Sequence, residues 1–136
     1  MMEESFGTKV LDKNLDELLR SNKRIADDLE QILYVHKKLT DKFKNISKSA
    51  KRSLASKYLH FHCPDKFFIY DSRADAAIKD IVNSPDRSRI KGMEYDSEYG
   101  NFVCRMLEFQ KHLIDKLNPK RMDYVSPRNL DSFLLS

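Results

Sequence analysis

Turn-forming residues are scarce in this chain: 136 residues hold only 3 glycines and 4 prolines. An all-β domain needs a tight turn about every ten residues and builds those turns largely from glycine and proline. The composition therefore argues against an all-β fold. Cysteine is sparse as well. Cys63 and Cys104 stand 41 positions apart, with no CxxC pair and no cluster. That argues against a disulfide scaffold and leaves reduced thiols as the expectation. Long apolar runs are missing: no stretch approaches the roughly 18 consecutive apolar residues of a membrane span. The opening Met1-Met2-Glu3-Glu4-Ser5 lacks the basic start and apolar run of a signal peptide. These absences lead to the expectation of a soluble, cytoplasmic protein.

What is present suits one globular domain. Hydrophobic residues make up 40% and charged residues 34%, a mix that supports a core under a heavily solvated surface and argues against general disorder. At this length one modest core is expected. Lys and Arg number 25 against 21 Asp and Glu, a net charge of +4. So mild an excess permits a nucleic-acid partner without requiring one.

Apolar residues recur at helical steps through most of the chain. Val10, Leu11, Leu15, Leu18 and Leu19 form one stripe, and Ile25, Leu29, Ile32, Leu33, Leu39 and Phe43 form a second. Ser21-Asn22 either separates two helices or bends a single long one. Residues 45–52 are polar and basic and read as a connection. The next helix carries Leu54, Ala55, Tyr58, Leu59 and Phe61. It ends near Cys63, because a residue before proline is disfavoured from helix. Pro64-Asp65-Lys66 reads as a turn, and Phe67-Phe68-Ile69-Tyr70 as a short, extended, buried run. Asp71 or Ser72 caps a further helix with Ala74, Ala77, Ile78, Ile81 and Val82 inward. Residues 83–96 read as an exposed loop. A long helix follows from about Ser97 to Leu117, with Phe102, Val103, Met106, Leu113, Ile114 and Leu117 inward. Asn118-Pro119 ends it. Ser126-Pro127 starts a terminal helix that buries Leu130, Phe133 and Leu134. Residues 1–7 read as a flexible tail.

The informative stretch is residues 53–78, about 26 of 136. It places Ala55 on a helix, then a turn, then Phe67-Phe68-Ile69-Tyr70, then Asp71 at the next helix start. This pattern resembles the core of the helix-hairpin-helix DNA glycosylase superfamily, nearest its adenine glycosylase branch. The 16-residue spacing from Ala55 to Asp71 is that of the family. The string Phe67 to Asp71 is similar to its Phe-Pro-Ile-x-Asp. The resemblance implies that Asp71 matches the catalytic aspartate, which stabilises a cationic sugar as the base departs. It implies that Ser53 stands where bifunctional members carry lysine, so a Schiff-base step is not supported. The family's glycine-rich hairpin is replaced here by Ser47-Lys48-Ser49-Ala50-Lys51, and its iron-sulfur cysteines are absent. Strings such as 55–61 and 69–73 are also similar to those of small bacterial proteins of unassigned function.

Each candidate has a plainer reading. Asp71 just before a helix is a good N-cap. His60, His62 and Cys63 suggest a metal. On a helix, however, His-x-His turns the two rings about 200° apart, and packed or hydrogen-bonded histidines are the better expectation. Lys42, Lys44, Lys48, Lys51, Arg52 and Lys57 either face phosphates or are solvated. Arg73 reads as a partner for a nearby carboxylate or helix end. Tyr58, Tyr70 and Phe61 suit base stacking, though core packing is the expectation at their spacing.

The sequence thus predicts an all-α, compact, single-domain bundle of about five to six helices with a glycosylase-like core. One functional expectation is a non-catalytic scaffold or interaction protein that also binds DNA through Lys48, Lys51, Arg52, Ser53 and Lys57. Its partners would be DNA, another protein or a second copy, not a membrane. The alternative is a minimal monofunctional glycosylase acting through Asp71 on a flipped base. No metal or cofactor is implied. An open cleft joining the basic residues to Asp71 would favour DNA. An Asp71 that only caps its helix would favour the scaffold.

Overall fold

The computed structural model describes residues 13–47, 51–116 and 127. Every regular element among them is helical. Helix α1 covers residues 13–20. A 3-10 turn, Ile25–Asp28, leads directly into α2, Leu29–Ser47. Then come α3, Arg52–His62, and α4, Ser72–Ile81. A second 3-10 turn, Ser88–Ile90, precedes α5, Ser97–Lys116. The Ser21-Asn22 pair does interrupt the helix, and the chain re-enters it through the 3-10 turn. The basic connection is shorter than residues 45–52, because α2 runs to Ser47 and α3 starts at Arg52. The 1–7 tail, the Asn118-Pro119 stop and the terminal helix with Leu130, Phe133 and Leu134 lie outside the described residues, apart from Pro127, which is helical and buried.

Helix α2 is the centre of the packing. Its stripe of Leu29, Ile32, Leu33 and Leu39 is buried, and so are Val35, His36 and Thr40. The buried arc is wide because α3 and the first 3-10 turn both pack on this helix, while α4 packs on α5. His36 of α2 meets Arg52, and Phe43 meets Tyr58. These contacts come in the same order along both helices, so α3 does not fold back on α2 as an antiparallel hairpin.

The turn after α3 follows from its sequence. Cys63 leaves the helix at φ −144°, as a residue before proline should. The Lys66 amide then donates to the Cys63 carbonyl at 3.1 Å. Residues 67–70 run back along α3 and are pinned twice. The His60 Nδ1–H donates to the Phe67 carbonyl at 2.7 Å, and the Tyr70 amide donates to Ser56 Oγ at 2.8 Å. Phe67 and Phe68 are fully buried in this return segment and contribute about 2–3 kcal/mol each.

Two expected faces differ. On α3, Leu54, Tyr58 and Phe61 point outward, 52%, 46% and 82% exposed, and only Ala55, Ser56 and Leu59 are buried. On α4, Ile81 is exposed while Asp75 takes a buried place beside Ala74 and Ile78. Segment 83–96 is exposed at many positions but anchored by Ile90, which is fully buried, with Met93 and Tyr95 packed on the core. Gly92 at φ +84° lets the chain turn there. The Tyr95 ring lies so close to Gly100 on α5 that a Cβ there would sit 2.3 Å from it.

Candidate functional site

The first turn of α3 gathers several of the residues singled out in the sequence. Ser56 is fully buried. Its hydroxyl donates to the Ser53 carbonyl at 2.8 Å and accepts the Tyr70 amide. This link ties Tyr70, the residue before Asp71, to the N-terminal half of α3. Asp71 itself caps α4: its Oδ1 accepts the Ala74 amide at 2.8 Å, and its backbone is extended. The carboxylate is therefore engaged with the helix end it begins.

Arg52 is also engaged. Its Nε donates to Asp96 Oδ2 at 2.8 Å and its Nη2 to Asp96 Oδ1 at 3.3 Å. The guanidinium lies 6.0 Å from the Tyr70 ring centroid. Asp96 caps α5 and accepts the Tyr99 amide at 3.0 Å. Burial pushes its carboxyl up, but the Arg52 hydrogen bonds and charge and the Tyr99 amide outweigh that and hold it below the usual range. The Asp96 hydrogen bond in turn raises Arg52 above its usual value.

Beneath this pair lies a buried aromatic couple. His36 stacks on Tyr99 with ring centroids 3.7 Å apart and 13° between planes. The His36 Nε2 is 3.0 Å from the Arg52 carbonyl. A carbonyl only accepts, so Nε2 carries the proton. Burial lowers the His36 pKa to about 4, against the smaller raising effect of that carbonyl. Tyr99 donates its hydroxyl to the Phe68 carbonyl at 2.8 Å. His36, Asp96 and Tyr99 escaped the sequence reading. Asp96 carried a usable signal, an Asp at the predicted start of α5. His36 carried none.

The other predicted contacts are placed differently. Lys48 lies outside the described residues. Lys51 is half-buried at the N-cap of α3, and Lys57 is exposed on its outer face. Beside Lys57 the rings of Phe43, Tyr58, His62 and Phe61 follow one another. Their centroids are 6.5 Å apart from Phe43 to Tyr58, 4.5 Å from Tyr58 to His62 and 5.4 Å from His62 to Phe61. Tyr70 instead packs edge-on against Phe102 at 5.1 Å. Among the described residues, no three of His, Cys, Asp and Glu come together as a metal site. Cys63 is buried, and that burial pushes its thiol up to about 11, which suits packing rather than reactivity.

A cavity of about 460 Å³ lies along α5, away from Asp71 and Ser53. Arg24, Arg89 and Lys111 line it together with Asp86, Glu108 and Asp115. Three cations against three carboxylates select no charge of ligand. No helix among the described residues is long and apolar enough to cross a membrane. Comparison of the chain with family models, with curated proteins and with solved structures finds no match in any of the three.

Proposed function

We propose that this chain is a helical interaction protein that binds DNA by charge and performs no chemistry on it. The observation that carries this reading is a stretch of chain charged with one sign. From Lys42 to Pro64 the chain has six cations, Lys42, Lys44, Lys48, Lys51, Arg52 and Lys57, and no Asp or Glu. This stretch includes the C-terminal end of α2 and all of α3. Arg52 is paired with Asp96, whereas Lys44 and Lys57 are exposed and can meet phosphate. The engagement of Asp71 as a helix cap supports the non-catalytic side of the reading.

The test is fluorescence anisotropy with labelled single- and double-stranded DNA over a salt series. Expected is binding that weakens steeply with salt. Replacing Lys44 and Lys57 by Gln should lower the log–log salt slope by about 1.4 on single strands, or about 1.8 on duplex. Absence of binding at low salt would end the DNA reading and turn attention to protein partners.

One observation favours a second reading, the minimal glycosylase. Tyr70, the residue before Asp71, is hydrogen-bonded to Ser56 of α3, which supports reading the two helices as the core that the resemblance implies. Duplexes carrying damaged or mismatched bases test it. Base release by the wild type that disappears in Asp71→Asn would support it. No release by the wild type would dismiss it.

A further inference from the structure

The outward face of α3 is the unusual feature of this molecule. Leu54, Tyr58 and Phe61 stand at i, i+4 and i+7, within about 60° of one another around the helix. They oppose the buried strip of Ala55, Ser56 and Leu59. Single exposed apolar side chains are ordinary, but a contiguous set on one face marks an interaction surface. Phe61 is 82% exposed, so its ring contributes almost nothing to the core. Two further rings adjoin the stripe, Phe43 from α2 and His62 from the end of α3.

The charge around the rings selects the occupant. Helix α3 has no carboxylate in its 11 residues, and Lys57 lies within the exposed arc. A second copy docked α3 to α3 would bring Lys57 of each copy to a face whose helix holds no carboxylate to answer it. An amphipathic partner helix seats its apolar anchors in a groove, whereas Phe61, the most exposed ring of the stripe, stands 82% open to solvent. Flat, anionic, unstacked partners meet both demands: rings take bases, and lysines take phosphates. Duplex DNA offers phosphates but keeps its bases stacked inside.

We infer that the α3 outer face is a stacking platform for single-stranded nucleic acid, with Phe61 and Tyr58 against bases and Lys57 against the backbone. This rests on the DNA-binding reading above and specifies its ligand. The site is separate from Asp71, whose carboxylate faces the start of α4.

The experiment measures Kd by anisotropy for oligo(dT), for the same length of abasic strand and for duplex, using the full chain. Expected is preference for oligo(dT) over both others. Phe61→Ala and Phe61→Leu should each weaken oligo(dT) binding roughly five- to hundredfold, the range for loss of one base stack. Duplex binding should stay unchanged. The exposure of Phe61 means both variants should keep the wild-type circular dichroism and melting curve. Equal affinity for abasic and normal strands, or full affinity in Phe61→Leu, would overturn the platform and leave charge-driven DNA binding standing. Binding to none of the three at low salt would overturn both. A dimer that Phe61→Ala dissociates, with DNA constants unmoved, would assign the face to a second copy and overturn the platform.

Discussion

At the residue scale, His36 has the clearest consequence. It is fully buried, stacked on Tyr99, and donates Nε2–H to the Arg52 carbonyl. Its pKa falls from 6.5 to about 4 on folding, so between those values the unfolded chain binds the extra proton. By linkage, stability rises with pH across that window. The His36 contribution is fully present above about pH 6.5 and is lost as pH falls towards 4, on the order of 3 kcal/mol in all. Asp96 and Asp28 are depressed below 3.8, so their contributions are present above that value and disappear at still lower pH. His36→Phe should keep the stack but strand the Arg52 carbonyl, at a cost of about 1–3 kcal/mol at pH 7.5. Its urea midpoint should then stay nearly flat from pH 6.5 to 4.5, where the wild type declines. A variant that declines in parallel with the wild type would assign the proton to another group.

At the element scale, the ends of helices were far more legible than their faces. Pro64 stops α3 and Asp71 starts α4 because both effects are local, one steric and one a side-chain hydrogen bond over three residues. Asp71→Ala should therefore lose about 1 kcal/mol in urea unfolding. Asp71→Asn should stay within a few tenths, since an amide oxygen caps equally well. Equal loss in both variants would show that the negative charge, not the cap, is what α4 needs. The face of α3 was not legible. Leu54, Tyr58 and Phe61 make one apolar stripe, and Ala55 and Leu59 make another. Size favours burying the first. The structure buries the second, because Ser56 and His60 bond to the returning segment at Tyr70 and Phe67. Those two polar anchors fix the rotation of the helix.

At the scale of the whole molecule, a buried lysine joins distant parts of the chain. Lys66 Nζ lies 2.7 Å from Asp28 Oδ2, across 38 positions, and also donates to the Lys23 carbonyl. Its side chain is only 5% exposed. The pair ties the segment before α2 to the turn after α3. Lys66→Met should lower stability by about 1–3 kcal/mol, because the half-buried Asp28 carboxylate loses its cation and keeps only the Ser21 hydroxyl at 2.6 Å. The double variant Lys66→Met/Asp28→Leu should regain most of that loss in the same urea assay. If the double variant were as weak as the single one, packing around the turn, not the stranded charge, would be responsible.

The sequence by itself determined the helical class and the turn at Pro64, and it narrowed the break to Ser21-Asn22 and the cap to Asp71 or Ser72. Each depends on residues a few positions apart, and propensity, proline sterics and capping act over that range. Tertiary structure alone decided that Arg52 answers Asp96 across 44 positions, that Lys66 is a buried cation rather than a surface turn residue, and that His36 belongs to the core. It also turned Phe61 outward. A charge or a ring carries no mark of its partner along the chain. Only the packing of α2, α3 and α5 brings the partners together, and packing is what determines which of two apolar faces meets water.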